Sequence, residues 1–455
     1  MEDWNLFVIV ILCVILGYAE VFAEFENRGD WHSKKININD YAHSIHDIDE
    51  GVHFGYIPVF ENEWKKVLDR SDHPVPSAFN FWFRCIDHEV RAYFHVEDLR
   101  AFTHGKEADM PLEPHVKEKI KILVDDKPIE FQSWFGGAQF YFQLPQNISR
   151  DYMSRIQIKG FGHYTRFPSW KCSPPIPQTP TTKYVMHIHL REFIKPLALN
   201  ADIVEGVLNH MNYHRCLLGV DRHEIVIQKE QIPFYLENRR VAQAVRKGWL
   251  HLLIRNPSVP APIENNHQGS DCYWQAYTEN LGLLRHWKEN TKMYFMDSDE
   301  YIVLPNEDKY PKEYLFDQVN QHHAVGIERF MSFCIDCPRD QAEIKLLNFN
   351  KNRYTVTDKL RDPKLLVNPN EVGCYIVHWA GCGKQTKVLP VDKVYLLHFE
   401  NLYIPRWKKT VEELKKDKLF TNTKGTLKCD PASVHFHGKL HHGRNTNGTR
   451  PIHDV

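Results

Sequence analysis

The feature that most constrains the fold is an alternation of apolar runs and amphipathic segments over residues 183–296. Four short runs, KYVMHIHL, EIVIQ, WLHLLI and KMYFM, are predicted to be buried strands because they are rich in apolar, β-branched or aromatic residues. The segments between them, at 200–220, 232–248 and 273–291, carry apolar residues at helical spacing and are predicted to be helices. This order predicts an α/β fold whose mostly parallel sheet is covered by helices on both faces.

The rest of the chain divides by composition. Residues 50–165 contain short aromatic and β-branched runs, such as FNFWFRCI and VRAYFHV, and predict an antiparallel β-rich domain that binds carbohydrate or braces its neighbour. Residues 167–182 are proline-rich and predict a linker to the α/β domain at 183–430. Residues 434–455 carry five histidines among Gly, Asn and Thr and predict a flexible tail.

The N-terminus points to the secretory pathway. Residues 6–19 (LFVIVILCVILGYA) have the length of a signal-peptide core, so 1–23 is predicted to be a signal peptide cleaved after Ala23. An uncleaved signal anchor, which would be the sole membrane attachment, and a buried helix are the alternatives. Glycosylation sequons at Asn147 and Asn447 agree with a protein of the ER or Golgi lumen, or a secreted one. Nine cysteines beyond the apolar segment predict disulfides.

Charge and motifs exclude several functions. The 57 basic and 58 acidic residues nearly cancel, which argues against nucleic acid as a partner. Phosphate-binding glycine loops, a serine nucleophile elbow and HExxH are absent from the sequence. The pair Cys334 and Cys337 has zinc-ligand spacing without a second such pair, so a structural disulfide role is preferred. His187 and His189 share a strand face and are interpreted as core residues.

The stretch MYFMDSDEYIVLP carries the strongest functional signal. Asp297 and Asp299 follow a buried strand directly, and ligands of open α/β sheets bind beyond the carboxyl ends of strands. If the strand continues, both carboxylates point the same way and can face one Mg²⁺ or Mn²⁺, which shares its ligand shell with substrate phosphates. This predicts a clamp for a nucleoside diphosphate. The alternative is a solvated polar turn.

Several segments in this order resemble glycosyltransferase family 92. They are NHMNYHRCLLGVDRHEIVIQ, IPFYLENRRVAQAVRKGWLHLL, QAYTENLGLLRHWKENTKMYFMDSDEYIVLP, KLLVNPNEVGCYIVHW and LLHFEN, and together they span about residues 184–415. The resemblance implies a GT-A fold and an inverting transfer of a sugar from a UDP-sugar to a glycan, with galactose as the preferred prediction for that sugar. The sequence departs from the family at Glu279-Asn280, where Asp-Cys is usual, at Gln228 and at RFMSFCIDCP.

The resemblance also implies site residues. Asp297 and Asp299 would hold Mn²⁺ or Mg²⁺, with His398 as the third ligand and His378 as the second choice.

Glu300, Gln275 and Lys364 would face the donor, although Glu300 could instead order the loop, Lys364 could lie at the surface and Gln275 in solvent. An inverting transfer needs a general base, for which Asp336 is the candidate and Glu328 the second. The alternatives to this enzyme are an inactive secreted carbohydrate-binding or interaction protein that keeps the fold, and a transferase of the family 2 type.

Overall fold

The computed structural model describes the part of the chain that positions the predicted site. It covers residues 38–58, 78–87, 89–96, 121–124, 127–134, 139–144, 155–159, 165–166, 172–189, 201–255, 270–306, 309, 312–334, 354–376, 378–383, 386–399 and 420–423. The chain divides into two compact units, 1–40 and 41–455, and all that follows concerns the second. The predicted signal segment, both sequons and the histidine-rich tail lie outside the described residues.

The described strands begin and end as follows: β1 Ile45–Asp47, β2 His53–Pro58, β3 Ala78–Ile86, β4 Glu89–Val96, β5 Lys121–Val124, β6 Lys127–Ile129, β7 Gln132–Trp134, β8 Gln139–Leu144, β9 Arg155–Lys159, β10 Thr165–Arg166, β11 Lys183–His189, β12 Arg222–Ile227, β13 Leu250–Ile254, β14 Thr291–Asp297, β15 Glu300–Val303, β16 Ala324–Cys334, β17 Tyr354–Val367, β18 Val372–Ile376, β19 Trp379–Gly383, β20 Lys387–Val388, β21 Tyr395–Phe399 and β22 Phe420–Thr423. The described helices are α1 Ala201–Leu218, α2 Ile232–Glu237, α3 Arg239–Arg246, α4 Ser270–Arg285 and α5 Lys312–His322.

An 11-stranded, mostly parallel sheet organises the molecule. Its main order is β1-β13-β12-β11-β14-β17-β16-β21-β15, with β20 beside β16 and β22 beside β17. The pairs among β1, β13, β12, β11 and β14 are all parallel. Most residues of β12, β13 and β14 are buried, as expected for strands with both faces covered. The predicted α/β class and all four predicted strands are therefore confirmed.

One predicted helix is two. The segment 232–248 was expected to be continuous, but α2 ends at Glu237 and α3 begins at Arg239. Between them Asn238 adopts an extended backbone, and its side-chain oxygen accepts hydrogen bonds from the backbone N–H groups of Arg240 and Val241. Asparagine is a favoured N-cap because it satisfies donors that the first helical turn leaves open, so it starts a new helix here. Gly248, with φ +70°, follows the second helix as predicted.

The edge strand β1 was not predicted as part of this sheet. Residues Ile45–Asp47 precede the whole antiparallel region, yet they pair in parallel with β13, Ile45 opposite Leu252. The run is only three residues long and contains a histidine and an aspartate. It therefore carries no apolar pattern that would identify it as a strand of the large sheet.

Antiparallel strands precede the linker, as predicted. They form a five-stranded sheet, β2-β3-β4-β8-β7, and a four-stranded sheet, β10-β9-β5-β6. Arg91 of β4 is buried and donates hydrogen bonds to the carbonyls of Pro369 and, at 3.0 Å, Asn370. Arg84 of β3 donates to the Leu284 carbonyl at the C-terminal end of α4, 2.8 Å away. Both arginines thus satisfy carbonyl groups of the α/β part.

Covalent links also agree with the sequence. A disulfide joins Cys85 to Cys172, and Cys216 and Cys374 are disulfide-bonded as well. Cys337 lies outside the described residues, so the role predicted for Cys334 and Cys337 stays a prediction. Among the helices that the structure describes, none combines the length and apolar character needed to span a bilayer.

Candidate active site

The site lies at the carboxyl end of β14, in the middle of the large sheet. The strand ends at Asp297, Ser298 and Asp299 form a turn, and β15 begins at Glu300. The strand does not continue through both aspartates, because the turn intervenes, so the geometry considered for a continuous strand does not apply. The turn nevertheless brings the two carboxylates together, with ligand atoms of Asp297, Asp299 and His398 all within 4.8 Å of one another.

Strand pairing places His398 in this cluster. β21 runs antiparallel to β15 with His398 opposite Glu300, and the Phe399 N–H donates to the Asp299 carbonyl at 3.0 Å. The His398 Nε2 atom then lies 3.5 Å from Asp299 Oδ1. Burial by itself would lower the pKa of His398, but the neighbouring Asp299 and Glu300 carboxylates raise it above its usual value. The predicted histidine thus meets the predicted carboxylates.

Asp297 is held by two buried side chains. Its Oδ1 atom accepts a hydrogen bond from Gln275 Nε2 at 2.9 Å and another from Lys364 Nζ at 3.0 Å. Gln275 projects from α4, and Lys364 comes from β17, whose antiparallel pairing with β14 leads toward Asp297. Lys364 is 1% exposed, so the alternative that it is a surface lysine is wrong, and so is a solvent-exposed Gln275. Both residues orient a carboxylate of the cluster.

The Glu300 carboxylate stabilises the turn between β14 and β15 through two hydrogen bonds. One carboxylate oxygen, Oε2, accepts a hydrogen bond from the Asp297 N–H at 2.9 Å, and the other, Oε1, accepts one from Arg329 Nη1 at 2.7 Å. Lys364 Nζ lies 3.9 Å from the same carboxylate. Glu300 is fully buried, so its contacts order the loop that carries the two aspartates.

Two residues of the site were missed by sequence reasoning. Arg329 of β16 is buried against Glu300, and burial lowers its pKa less than the Glu300 and Asp297 carboxylates raise it. Glu279 of α4 is 1% exposed, and burial raises the pKa of its carboxyl well above its usual value, which favours the neutral acid. The signal for Glu279 was available, because an acid stands on the apolar side of a helix. No comparable signal marks Arg329.

The remaining predicted site residues are not part of the cluster of Asp297, Asp299 and His398, or they fall outside the residues that the structure describes. Both ring nitrogens of His378 are engaged, Nδ1 with the Pro363 carbonyl at 3.1 Å and Nε2 with Arg329 at 3.4 Å. Burial, with Lys364 and Arg329 nearby, lowers the pKa of His378 to about 2. Glu328 is half-buried on β16. Asp336 falls outside the described residues, so its role as a base stays a prediction.

The cluster lies at the carboxyl end of a central strand, the place where open α/β sheets bind their ligands. Residues 250–428 match the family model of glycosyltransferase family 92. The predicted family is thereby confirmed over this segment, and glycosyltransferase activity is supported. The family 92 segment contains the whole cluster, from Gln275 to His398. A search of curated proteins gives no match.

Solved structures show a distant likeness. Apo-UDP-glucose pyrophosphorylase is 9% identical, with 42% of this chain and 78% of that chain covered and a TM-score of 0.20. Mannose-1-phosphate geranyltransferase from Thermus thermophilus is 14% identical, with 42% and 58% covered and a TM-score of 0.20. 4-Diphosphocytidyl-2C-methyl-D-erythritolsynthase from Anaerococcus prevotii is 9% identical, with 41% and 70% covered and a TM-score of 0.18. At such scores the likeness says nothing about function.

Proposed function

We propose that this glycosyltransferase is a metal-dependent, inverting enzyme of the secretory-pathway lumen that moves galactose from a UDP-sugar to a glycan. The observation that carries the proposal is the convergence of Asp297, Asp299 and His398 at the carboxyl end of β14. Two carboxylates and one imidazole form a donor set that suits Mn²⁺, and Mg²⁺ through the carboxylates. The residues therefore fit the metal that a diphosphate-binding site needs.

The charges of the site favour a cation. Asp297, Asp299 and Glu300 place three carboxylates together, whereas Lys364 and Arg329 are the buried cations that contact them in the described part of the site. Each cation sits against a particular acid, Lys364 against Asp297 and Arg329 against Glu300. The three carboxylates outnumber these two cations, so the described site keeps an excess of negative charge that would attract a divalent ion.

Each residue then has a task in binding the donor. Asp297, Asp299 and His398 would hold the ion, which when bound would neutralise charge that develops on the leaving diphosphate. Gln275 and Lys364 fix the orientation of the Asp297 carboxylate before any ligand arrives, so little reorganisation is required on binding. Glu300 keeps the turn closed and stays out of the ligand set.

The disulfide between Cys85 and Cys172 supports the proposed compartment. Disulfides form and persist in oxidising environments such as the ER lumen and are rare in the cytosol. The predicted signal segment at 1–23 and the sequons at Asn147 and Asn447 agree with this.

Calorimetric titration of UDP into the purified protein, with and without Mn²⁺, tests the clamp. Wild type should bind UDP only with Mn²⁺, and an Asp297→Asn/Asp299→Asn variant should lose that binding while it stays folded, as cooperative thermal unfolding would show; its unfolding temperature should fall because Lys364 loses a charged partner. Asp317→Asn, which changes an exposed acid of α5, is the matched control and should bind like wild type. Equal UDP affinity with and without Mn²⁺ would contradict the proposal. Equal UDP affinity of the Asp297→Asn/Asp299→Asn variant and the Asp317→Asn control would contradict it as well. Hydrolysis of a panel of UDP-sugars then tests galactose, which should turn over fastest.

A further inference from the structure

Three buried histidines meet behind the turn that carries the two aspartates. His210 and His214 lie one helical turn apart on α1 and therefore share a face, and His223 lies on β12. All three are fully buried, and one ring nitrogen from each lies within 4.8 Å of the other two. The ring centroids are 4.2 Å apart for His210 and His214, and 6.1 and 6.4 Å from these two to His223.

The hydrogen bonds of these rings leave nitrogens without a protein partner. His210 Nε2 donates to the Glu300 carbonyl at 2.8 Å, while its Nδ1 has no hydrogen-bond partner among the described residues. Neither ring nitrogen of His223 has one within that part of the chain. An unsatisfied polar atom in a protein interior costs about 1–3 kcal/mol, and native proteins keep few of them. Several such atoms at one point call for a shared ligand.

His214 completes the geometry of a metal centre. Its Nδ1 atom donates to the His210 carbonyl at 2.9 Å, and its Nε2 faces the Ile302 N–H at a long 3.3 Å. A histidine that binds a metal through one nitrogen commonly donates its other N–H to a carbonyl oxygen, which fixes the ring. His210 and His214 both have this arrangement, with Nδ1 and Nε2 respectively as the ligand atoms. A metal at Nε2 of His214 would replace the long contact to Ile302.

The ligand type selects the ion. Burial lowers the pKa of all three rings, that of His210 to about 4, so the neutral form that binds metals is the one present near neutral pH. Imidazole ligands suit zinc, copper, nickel and iron, whereas Mg²⁺ and Mn²⁺ prefer oxygen. Three histidines with an open fourth position form a known zinc ligand set. The chemistry thus differs from that of the aspartate cluster.

We propose that His210, His214 and His223 form a second metal site, which takes zinc or a similar transition-metal ion and ties α1 to β12. The site lies directly behind the candidate active site, because His210 also holds the Glu300 carbonyl at the start of β15. The ion would keep α1 against β12 and would thereby hold His210 in place under the Glu300 carbonyl. This second site is independent of the function proposed above.

Metal content tests the proposal on the full-length protein without an added histidine tag. The Asp297→Asn/Asp299→Asn variant removes the first cluster, and after chelation it should rebind Zn²⁺. Co²⁺ bound in place of Zn²⁺ should give the visible absorption of a four-coordinate site with three nitrogen ligands. Adding His223→Leu should reduce bound Zn²⁺ by one equivalent and abolish the Co²⁺ absorption. Ions held by histidines of the tail at 434–455 would remain in both proteins, so the difference reports the buried site alone.

Thermal unfolding provides a second measurement. Zn²⁺ should raise the unfolding temperature of the parent over that with chelator, and His223→Leu should remove this rise. If His223→Leu does not fold, His223→Gln, which keeps a polar side chain of similar length, takes its place. The proposal would be overturned if the Asp297→Asn/Asp299→Asn parent bound no Zn²⁺ other than that held by the tail. It would also be overturned if the variant with His223 replaced bound as much Zn²⁺ as this parent. A His223→Leu variant that unfolds at the parent's temperature or above in Zn²⁺ would do so as well.

Discussion

The ion pair of Arg329 with Glu300 gives a sharp test of how the aspartate turn is supported. Arg329 Nη1 lies 2.7 Å from Glu300 Oε1, and the two side chains are 8% and 0% exposed. Replacing one partner of a buried pair costs about 3–5 kcal/mol, because the other charge stays buried and uncompensated. Lys364 remains 3.9 Å from Glu300, and at an effective dielectric constant near 20 such a distance corresponds to about 4 kcal/mol of attraction. We therefore expect Arg329→Met to cost about 3 kcal/mol, the low end of the range.

The measurement is urea denaturation followed by tryptophan fluorescence. Arg329→Met should lower the free energy of unfolding by that amount, whereas Lys387→Met, which changes an exposed lysine of β20, should change it by less than about 0.5 kcal/mol. The double variant Arg329→Met/Glu300→Leu replaces the pair with apolar groups, and should recover part of the loss.

A loss below about 1 kcal/mol for Arg329→Met would refute this account of the turn, since it would mean that Glu300 is solvated or protonated without its arginine. A double variant that is as unstable as the sum of the two single variants would refute it as well, because independent effects add and coupled ones do not.

Three further results are expected. His398→Gln should weaken Mn²⁺ binding at least about tenfold in a calorimetric titration, while His378→Gln should leave it nearly unchanged; equal effects would contradict the ligand assignment. Burial, with Arg222 nearby, lowers the pKa of His251 to about 3, so in the unfolded chain this residue binds a proton that it does not bind in the folded chain. Its share of the loss of stability should be about 1 kcal/mol per unit as pH drops below about 6.5. In urea denaturation between pH 7 and pH 4, His251→Phe should therefore reduce the slope of stability against pH by that amount, and an unchanged slope would exclude a contribution from His251. Tyr213→Phe should cost about 1 kcal/mol by the same assay, because the hydroxyl donates to the Ile302 carbonyl at 2.6 Å, and no loss would show the bond to be dispensable.

Local pattern was enough to predict the strands that lead into the site. Most residues of β12, β13 and β14 are buried, so each of these strands contains a short apolar run that can be recognised in the sequence, although charged and histidine residues interrupt it. The aspartates could be found because they stand directly at the end of such a run. The break at Asn238 was missed because apolar residues recur at helical spacing on both sides of it. What ends one helix and starts the next is the N-cap formed by the Asn238 side chain, which the apolar pattern does not report.

Contacts between distant strands were beyond local pattern. Arg329 is a charged residue of a kind that local pattern assigns to the surface, and Lys364 was named only through the family resemblance, with the surface as the alternative. The pairing of β17 with β14 and of β16 with β17 carries both into the interior. Their burial depends on acids far away in the chain, which no periodicity reports. His398 could be named only through the family resemblance, and its register opposite Glu300 explains why a late histidine reaches an earlier turn.

The edge strand β1 has a consequence for how the chain is made. Synthesis proceeds from the N-terminus, so Ile45–Asp47 leaves the ribosome long before β13, the strand beside which it settles. Until then β1 is an unpaired strand. Because it has only three residues and two of them are a histidine and an aspartate, it provides a poor template for incorrect pairing with another strand. β1 can pair only after the antiparallel region and the first part of the α/β region exist, so the earliest strand of the large sheet to emerge has to wait for its partner while about 200 residues are made.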